Sequence, residues 1–210
     1  MAFITFEGPD GVGKTTQIRL LANSLEESGY RVLITREPGG TDLGKKIRQL
    51  LLDEKSGFFS FKTELLLYAA DRAQHIEELI KPALASGKVV LCDRFIDSTI
   101  AYQGYGRKLP LEVLTEVNEI ATGGFKPDLT LIFDLLPERA HERIRGERSQ
   151  TQEVDRIELE GLAFQQRVRE GYLEILKQES ERCQWVDADQ KVEDIAKVVN
   201  KKVLEFLKQR

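Results

Sequence analysis

Gly8-Pro9-Asp10-Gly11-Val12-Gly13-Lys14-Thr15, followed by Thr16, satisfies G-x-x-x-x-G-K-[ST] at every fixed position. Residues of these types at this spacing do phosphate chemistry. A glycine-rich turn exposes successive backbone N–H groups on one side, and a helix opening at Lys14 adds the positive end of its dipole. The Lys14 ammonium reaches the β- and γ-phosphates of a nucleotide, and the Thr15 hydroxyl takes one position on Mg²⁺. A chance glycine turn is the alternative, and the context argues against it. Phe3-Ile4-Thr5-Phe6 reads as a buried strand just before the loop, and Ile18, Leu21 and Leu25 recur at helical spacing just after it.

Other chemistry-bearing residues fall at the ends of strand-like runs. Val89 to Cys92 is an apolar run closed by Asp93 and Arg94, which puts an acid where it holds Mg²⁺ directly or through water. Arg31 to Thr35 delivers Arg36-Glu37-Pro38-Gly39-Gly40 to the carboxyl edge of a parallel sheet, where ligands bind. A solvated ion pair on a surface turn is the other reading of Arg36 and Glu37. In a helix from Thr41 to about Leu52, Leu43, Ile47, Leu50 and Leu51 form one apolar face, and Arg48 lies off that stripe, free to face a cleft.

Glu64, Tyr68 and Arg72 stand at i, i+4, i+8 and share a helix face. An aromatic plate beside a guanidinium can stack a flat base and bond its carbonyl edge, although packing plus a surface charge gives the same pattern. In Asp97 to Arg107, a helical register puts Thr99, Tyr102 and Gln103 together, and Gln103 could read a pyrimidine N3–H and its neighbouring carbonyl. A capped helix start explains Asp97 and Ser98 but not Tyr102-Gln103-Gly104. A basic helix carries Arg139, Arg143, Arg145 and Arg148, and from Gly146 to Asp155 apolar residues nearly vanish, as in a mobile flap. Arg143 and Arg145 diverge on a regular helix and face one phosphate chain only if the helix loosens near Gly146. A solvated charged face is the plain alternative.

Positioning these residues takes strands alternating with helices. The first helix runs from Lys14 to about Ser28 with Gly29 as its stop, and a long helical pattern runs from Phe61 to Ser86, kinked or divided at Pro82. Leu111 to Thr122, about Glu158 to Arg182, and Val192 to Leu207 read as further helices, with strands at Asp128 to Phe133 and Gln184 to Val186. The result is an α/β fold: a parallel sheet of about five strands covered on both faces, in one domain over residues 1–210. A net charge of −4 argues against a general nucleic-acid binder. Cys92 and Cys183 have no metal-type spacing and read as free thiols in a reducing compartment. With no leader-like or membrane-spanning segment, the expectation is a soluble cytoplasmic protein.

FEGPDGVGKTT, TREPGG, the DRF segment, the STIAYQG segment and DRIE ahead of a long helix together resemble bacterial thymidylate kinases over nearly the whole chain. The resemblance implies a three-layer P-loop nucleoside monophosphate kinase fold with a short lid near residues 143–157. It implies transfer of the ATP γ-phosphoryl group to dTMP, giving dTDP, with Mg²⁺ and a homodimer. It gives the loop from Gly8 to Thr16 to ATP, with Asp10 on the dTMP 3′-hydroxyl. Arg36 and Arg94 match the arginines on the acceptor phosphate, and Tyr68 the aromatic stacked on thymine. Arg72 and Gln103 match the base-edge readers, so that Arg72→Ala should mainly blunt base selectivity. Tyr102 matches the residue that crowds out a ribose 2′-hydroxyl. Glu37, Arg48 and Thr99 join these as candidate substrate contacts. The loop interior, Pro9 to Val12, has no arginine, which turns the search for catalytic positive charge to Arg143, Arg145 and Arg148. Rival readings are a kinase for another nucleoside monophosphate, a GTPase-type switch, and a silent P-loop protein. Against the switch, Asn200-Lys201-Lys202-Val203 lacks the acid of N-K-x-D; against the silent protein, Lys14, Thr15 and Asp93 are all present.

Overall fold

The computed structural model describes residues 1–52, 59–147 and 160–209. Every residue of β1 (Phe3–Glu7) is buried, so both faces of this strand need cover and it takes the middle of the sheet. The sheet has five parallel strands in the order β2 (Val32–Arg36), β3 (Val89–Asp93), β1, β4 (Leu129–Asp134), β5 (Cys183–Asp187). The register aligns Phe6 and Arg36 with Asp93. The phosphate loop, the TREPGG turn and the DRF segment therefore leave the sheet at one edge.

Strand alternation divides the core. Ile4, Phe6, Leu91, Leu131 and Phe133 pack against Ile18, Leu21 and Leu25 of α1 (Lys14–Glu27) and Ile195, Val199 and Val203 of the terminal helix. On the opposite face, Phe3, Val90 and Cys92 meet Ile76, Ile80 and Phe95, and Ile132 meets Phe164, Val168 and Tyr172. Burying each such side chain contributes about 1.5–3 kcal/mol.

The remaining helices are α2 (Asp42–Leu52), α3 (Phe61–His75), α4 (Lys81–Ala85), α5 (Ile96–Thr99), α6 (Leu111–Thr122), α7 (Pro137–Glu147), α8 (Leu162–Gln178) and α9 (Val192–Lys208). Between α3 and α4 the chain stays helical through a π turn, Ile76–Ile80, just ahead of Pro82. Proline has no N–H to give the preceding turn, and the wider π spacing absorbs that loss without a break. A second π segment, Ile100–Gly106, carries Tyr102 and Gln103. One expectation needs correction. The apolar stripe of α2 is only partly buried: Ile47 and Leu51 face the core, but Leu43 and Leu50 are 46% and 48% exposed. Near Gly146 the helix stays regular, since α7 runs through it to Glu147.

Candidate active site

The phosphate loop fits its place only with glycine at two points. A Cβ on Gly8 (φ 136°) would lie 2.4 Å from the Phe133 carbonyl oxygen, and one on Gly11 (φ 76°) 2.7 Å from the Ala140 carbonyl oxygen. The loop is thus pressed against the end of β4 and against α7. Lys14 is buried beneath it and donates to the carbonyl oxygens of Gly8 (3.0 Å) and Pro9 (2.7 Å). Burial, followed by the charge of Arg94, lowers its pKa from 10.5 to about 8. The carboxylates of Asp93, Asp10 and Glu7 offset this only in part, and phosphate oxygens at the loop would add counter-charge. At pH 8, nucleotide binding should therefore take up about half a proton. Calorimetry in buffers of different ionisation enthalpy measures this uptake, which Lys14→Ala should abolish.

Next to the loop, the Thr15 hydroxyl donates to Asp93 Oδ2 at 2.8 Å. A hydroxyl and a carboxylate side by side fit Mg²⁺, which takes hard oxygen ligands, completes its shell with water and phosphate, and uses few protein groups.

A cleft opens beside the loop. It is lined by Asp10, Arg36, Glu37, Arg48, Tyr68, Arg72, Arg94, Thr99, Tyr102 and Gln103, which gathers the candidate acceptor residues from well-separated stretches of chain. Arg36 lies at its rim, exposed and without a hydrogen bond or ion pair among the described residues. Arg48 donates to the Pro38 carbonyl at 3.2 Å.

Arg94 sits where the two sites meet. Its backbone is left-handed (φ 73°), a conformation uncommon outside glycine. Nη2 donates to Asp10 Oδ1 (2.7 Å) and the Tyr102 hydroxyl (2.9 Å), and Nη1 to the Ser98 (3.1 Å) and Tyr172 (3.0 Å) hydroxyls. Both Nη groups are thus engaged within the protein, and an arriving phosphate competes with Asp10 for them. Burial pushes the Asp10 carboxyl up, but Arg94 and Lys14 outweigh it and hold it well below the usual carboxylate range.

At the other end, Arg72 is 2% exposed and binds Glu37 Oε2 (2.9 Å) through Nε. Its Nη1 donates to Thr99 (3.0 Å) and Asn118 (2.7 Å), and Nη2 to the Phe95 carbonyl (3.1 Å). One Nη2 hydrogen remains for a ligand. Glu37 also meets His75 Nδ1 at 2.9 Å, and His75 Nε2 meets the Thr35 hydroxyl at 2.7 Å. Glu37 is 3% exposed, so the surface-turn reading fails for it: its carboxylate is a buried bracket for Arg72.

Arg139 and Arg143 both turn to Asp189, at 3.2 and 3.7 Å, and Arg145 is exposed. On the regular α7 the side chains of Arg143 and Arg145 diverge. Arg148 and lid residues 148–157 lie outside the described residues.

Three residues that sequence reasoning missed stand behind Arg94. Glu7 accepts from Phe95 N (2.7 Å), Ser98 Oγ (2.6 Å) and the Tyr172 hydroxyl (3.0 Å). The available signal was an acid closing an otherwise apolar strand one residue before the loop; Ser98 had been accounted for as a cap. Burial, then the charge of Asp97, raises Glu7 from 4.5 to about 7. The folded protein therefore holds a proton between pH 4.5 and 7 that the unfolded chain has released, and stability falls as pH rises through that interval. The contribution is on the order of 1–3 kcal/mol. Asp71, raised by burial to about 6, acts with the same sign lower in the range. Urea midpoints measured against pH should flatten in Glu7→Gln, most clearly between pH 6 and 7.

The family model described as thymidylate kinase matches residues 6–199. The chain belongs to the thymidylate kinase family. Proteins named thymidylate kinase from Exiguobacterium sibiricum, Caldanaerobacter subterraneus subsp. tengcongensis and Halothermothrix orenii are 50%, 50% and 53% identical to it. The matches cover 99%, 98% and 96% of this chain and 96%, 96% and 95% of those proteins. Thymidylate kinases phosphorylate dTMP to dTDP with ATP as the phosphate donor. The five-stranded parallel sheet with helices on both faces is consistent with the P-loop nucleoside monophosphate kinase fold of thymidylate kinase.

Proposed function

We propose that the cleft takes dTMP and the loop takes ATP, so that the two phosphate chains meet between Lys14 and Arg94. The observation that carries this reading is the position of Asp10, which belongs to the loop yet lines the cleft and is bonded to both Arg94 and Tyr102. Arg36 and Arg94 hold the acceptor phosphate. Tyr68 stacks on the base, Arg72 and Gln103 read its edge with Thr99 fixing Arg72, and Glu37 and Arg48 shape the wall. Asp10 binds the sugar 3′-hydroxyl, and the Tyr102 ring closes the space of a 2′-hydroxyl. Mg²⁺, held by Thr15 and Asp93, neutralises phosphate charge when bound.

With no strong base in the cleft, positioning and charge neutralisation lower the barrier to in-line transfer. Lys14 meets the charge of the donor phosphates, Arg94 bridges donor and acceptor, and Arg143, Arg145 or Arg148 completes the cationic shell from the lid. Among the described residues no helix is long and apolar enough to cross a membrane, and the protein works in the cytoplasm without nucleic acid as a partner. It acts as a homodimer. The adjacent helices α2, α3 and α6 expose Leu50, Leu66 and Ile120, and sedimentation should give twice the 23.9 kDa chain mass.

A coupled ADP-release assay over dTMP, dUMP, UMP, dCMP, CMP, AMP and GMP tests the function. ADP release stimulated most by dTMP supports it. Preference for a ribonucleotide or a purine, or turnover indifferent to any acceptor, overturns it.

A further inference from the structure

The base end of the cleft contains a buried ionic group that the mechanism leaves without a task. Glu64 of α3 is 0% exposed and receives Arg107 on both oxygens, Nε to Oε1 and Nη2 to Oε2, each at 3.3 Å. Arg107 also binds Glu160 and lies between the rings of Phe61 (4.8 Å) and Phe164 (4.9 Å). Its guanidinium is thus held in place from several sides. The side-chain amide of Gln103 donates through Nε2 to Glu64 Oε1 at 2.9 Å.

A carboxylate paired with an arginine only accepts hydrogen bonds. It fixes which end of the Gln103 amide faces it, because the flipped amide would set two acceptor oxygens against each other in a buried space. The carbonyl Oε1 is therefore directed away from Glu64. The one side-chain hydrogen bond that Gln103 makes among the described residues is the one through Nε2, so Oε1 accepts none there, and the side chain lines the cleft. An unpaired acceptor there matches a base bearing N–H at position 3, as thymine and uracil do, and repels cytosine, whose N3 carries a lone pair.

We propose that Glu64, paired with Arg107, is the positioning residue that locks Gln103 with its carbonyl toward the base and so excludes cytosine nucleotides. This rests on the reading of the cleft as the pyrimidine nucleotide site. Glu64 touches no substrate; it acts through Gln103.

The test is Glu64→Gln, which keeps the shape but can donate to a flipped Gln103. The ratio of kcat/KM for dTMP over dCMP should fall about tenfold, the size of one buried hydrogen bond exchanged for an unpaired group. The change should appear mainly in KM. In a Gln103→Met background, adding Glu64→Gln should leave the ratio unchanged, which a merely structural role would not predict. The inference is overturned if Glu64→Gln keeps the wild-type ratio, or if it still shifts the ratio in the Gln103→Met background. A wild-type protein with no dTMP turnover instead overturns the functional reading, and this inference with it. The wild-type protein also gives a reading that needs no variant. One side-chain amide proton of Gln103, bonded to a carboxylate, should resonate downfield and stay there when dTMP is added; its return to the position of an unbonded amide would overturn the proposal.

Discussion

Lys14→Ala is expected to lower kcat by about 10²–10³-fold, the usual cost of removing one group that meets developing charge, while leaving the fold intact. The separation of activity from stability follows from the burial of this side chain. With its pKa depressed from 10.5 to about 8, Lys14 is charged in the unfolded chain between pH 8 and 10.5 but partly neutral in the folded one. Its contribution therefore rises as pH climbs from 8 to 10.5 and is least favourable below 8. Removing it at pH 7 lifts a buried charge off two carbonyl oxygens that the loop can turn to water. Steady-state kinetics with dTMP and ATP, set beside a urea melt at pH 7, check both halves. A melt midpoint that collapses with the activity would make Lys14 a structural group, contrary to its assignment.

Arg72→Ala should do more than blunt base selectivity, the effect that the sequence suggests. Its guanidinium joins Glu37 at the end of β2, Thr99 of α5, Asn118 of α6 and the Phe95 carbonyl. Deleting one partner of a buried pair leaves the other charge uncompensated, at about 3–5 kcal/mol. Melting should therefore fall by roughly 6–20 °C for a chain of this length. Among the described residues the Glu37 side chain would then have only His75 as a partner, and the TREPGG turn that carries Arg36 would lose its bracket. Turnover of every acceptor should drop together, with a loss of thymine preference on top. Thermal melts and the acceptor series measure the two effects separately. A variant as stable as the wild type would mean that these bonds are not formed in solution.

The parts of this protein that were legible in the sequence are those encoded over short spans. The strand-loop-helix around Lys14 announces itself because glycine positions, a lysine and a flanking apolar run are all local. The ends of β2 and β3 were legible for the same reason, since apolar runs closed by Arg36 or by Asp93 and Arg94 state both the strand and its exit. What could not be read depends on long-range pairing. Glu7 lies 165 residues from Tyr172 in the chain, and only the folded sheet and α8 bring them together. Arg72 looked like an edge reader on a helix face because periodicity shows which way a side chain points, not how many partners await it. Pro82 reads in sequence as a kink or a division, because a proline does not reveal whether neighbouring turns can widen, as Ile76–Ile80 does, to absorb it. For Arg143 and Arg145, the divergence that a regular helix requires is legible in their two-residue spacing, and α7 stays regular through both.

Two nucleotides that meet end to end across Asp10 and Arg94 should be replaceable by one molecule spanning both sites. An analogue joining adenosine and thymidine through a single polyphosphate, used in an equilibrium competition, is the measurement to make. It should displace both ATP and dTMP, competitively with each and more tightly than either. Displacement of only one of them, or simultaneous binding of the analogue with dTMP, would contradict it.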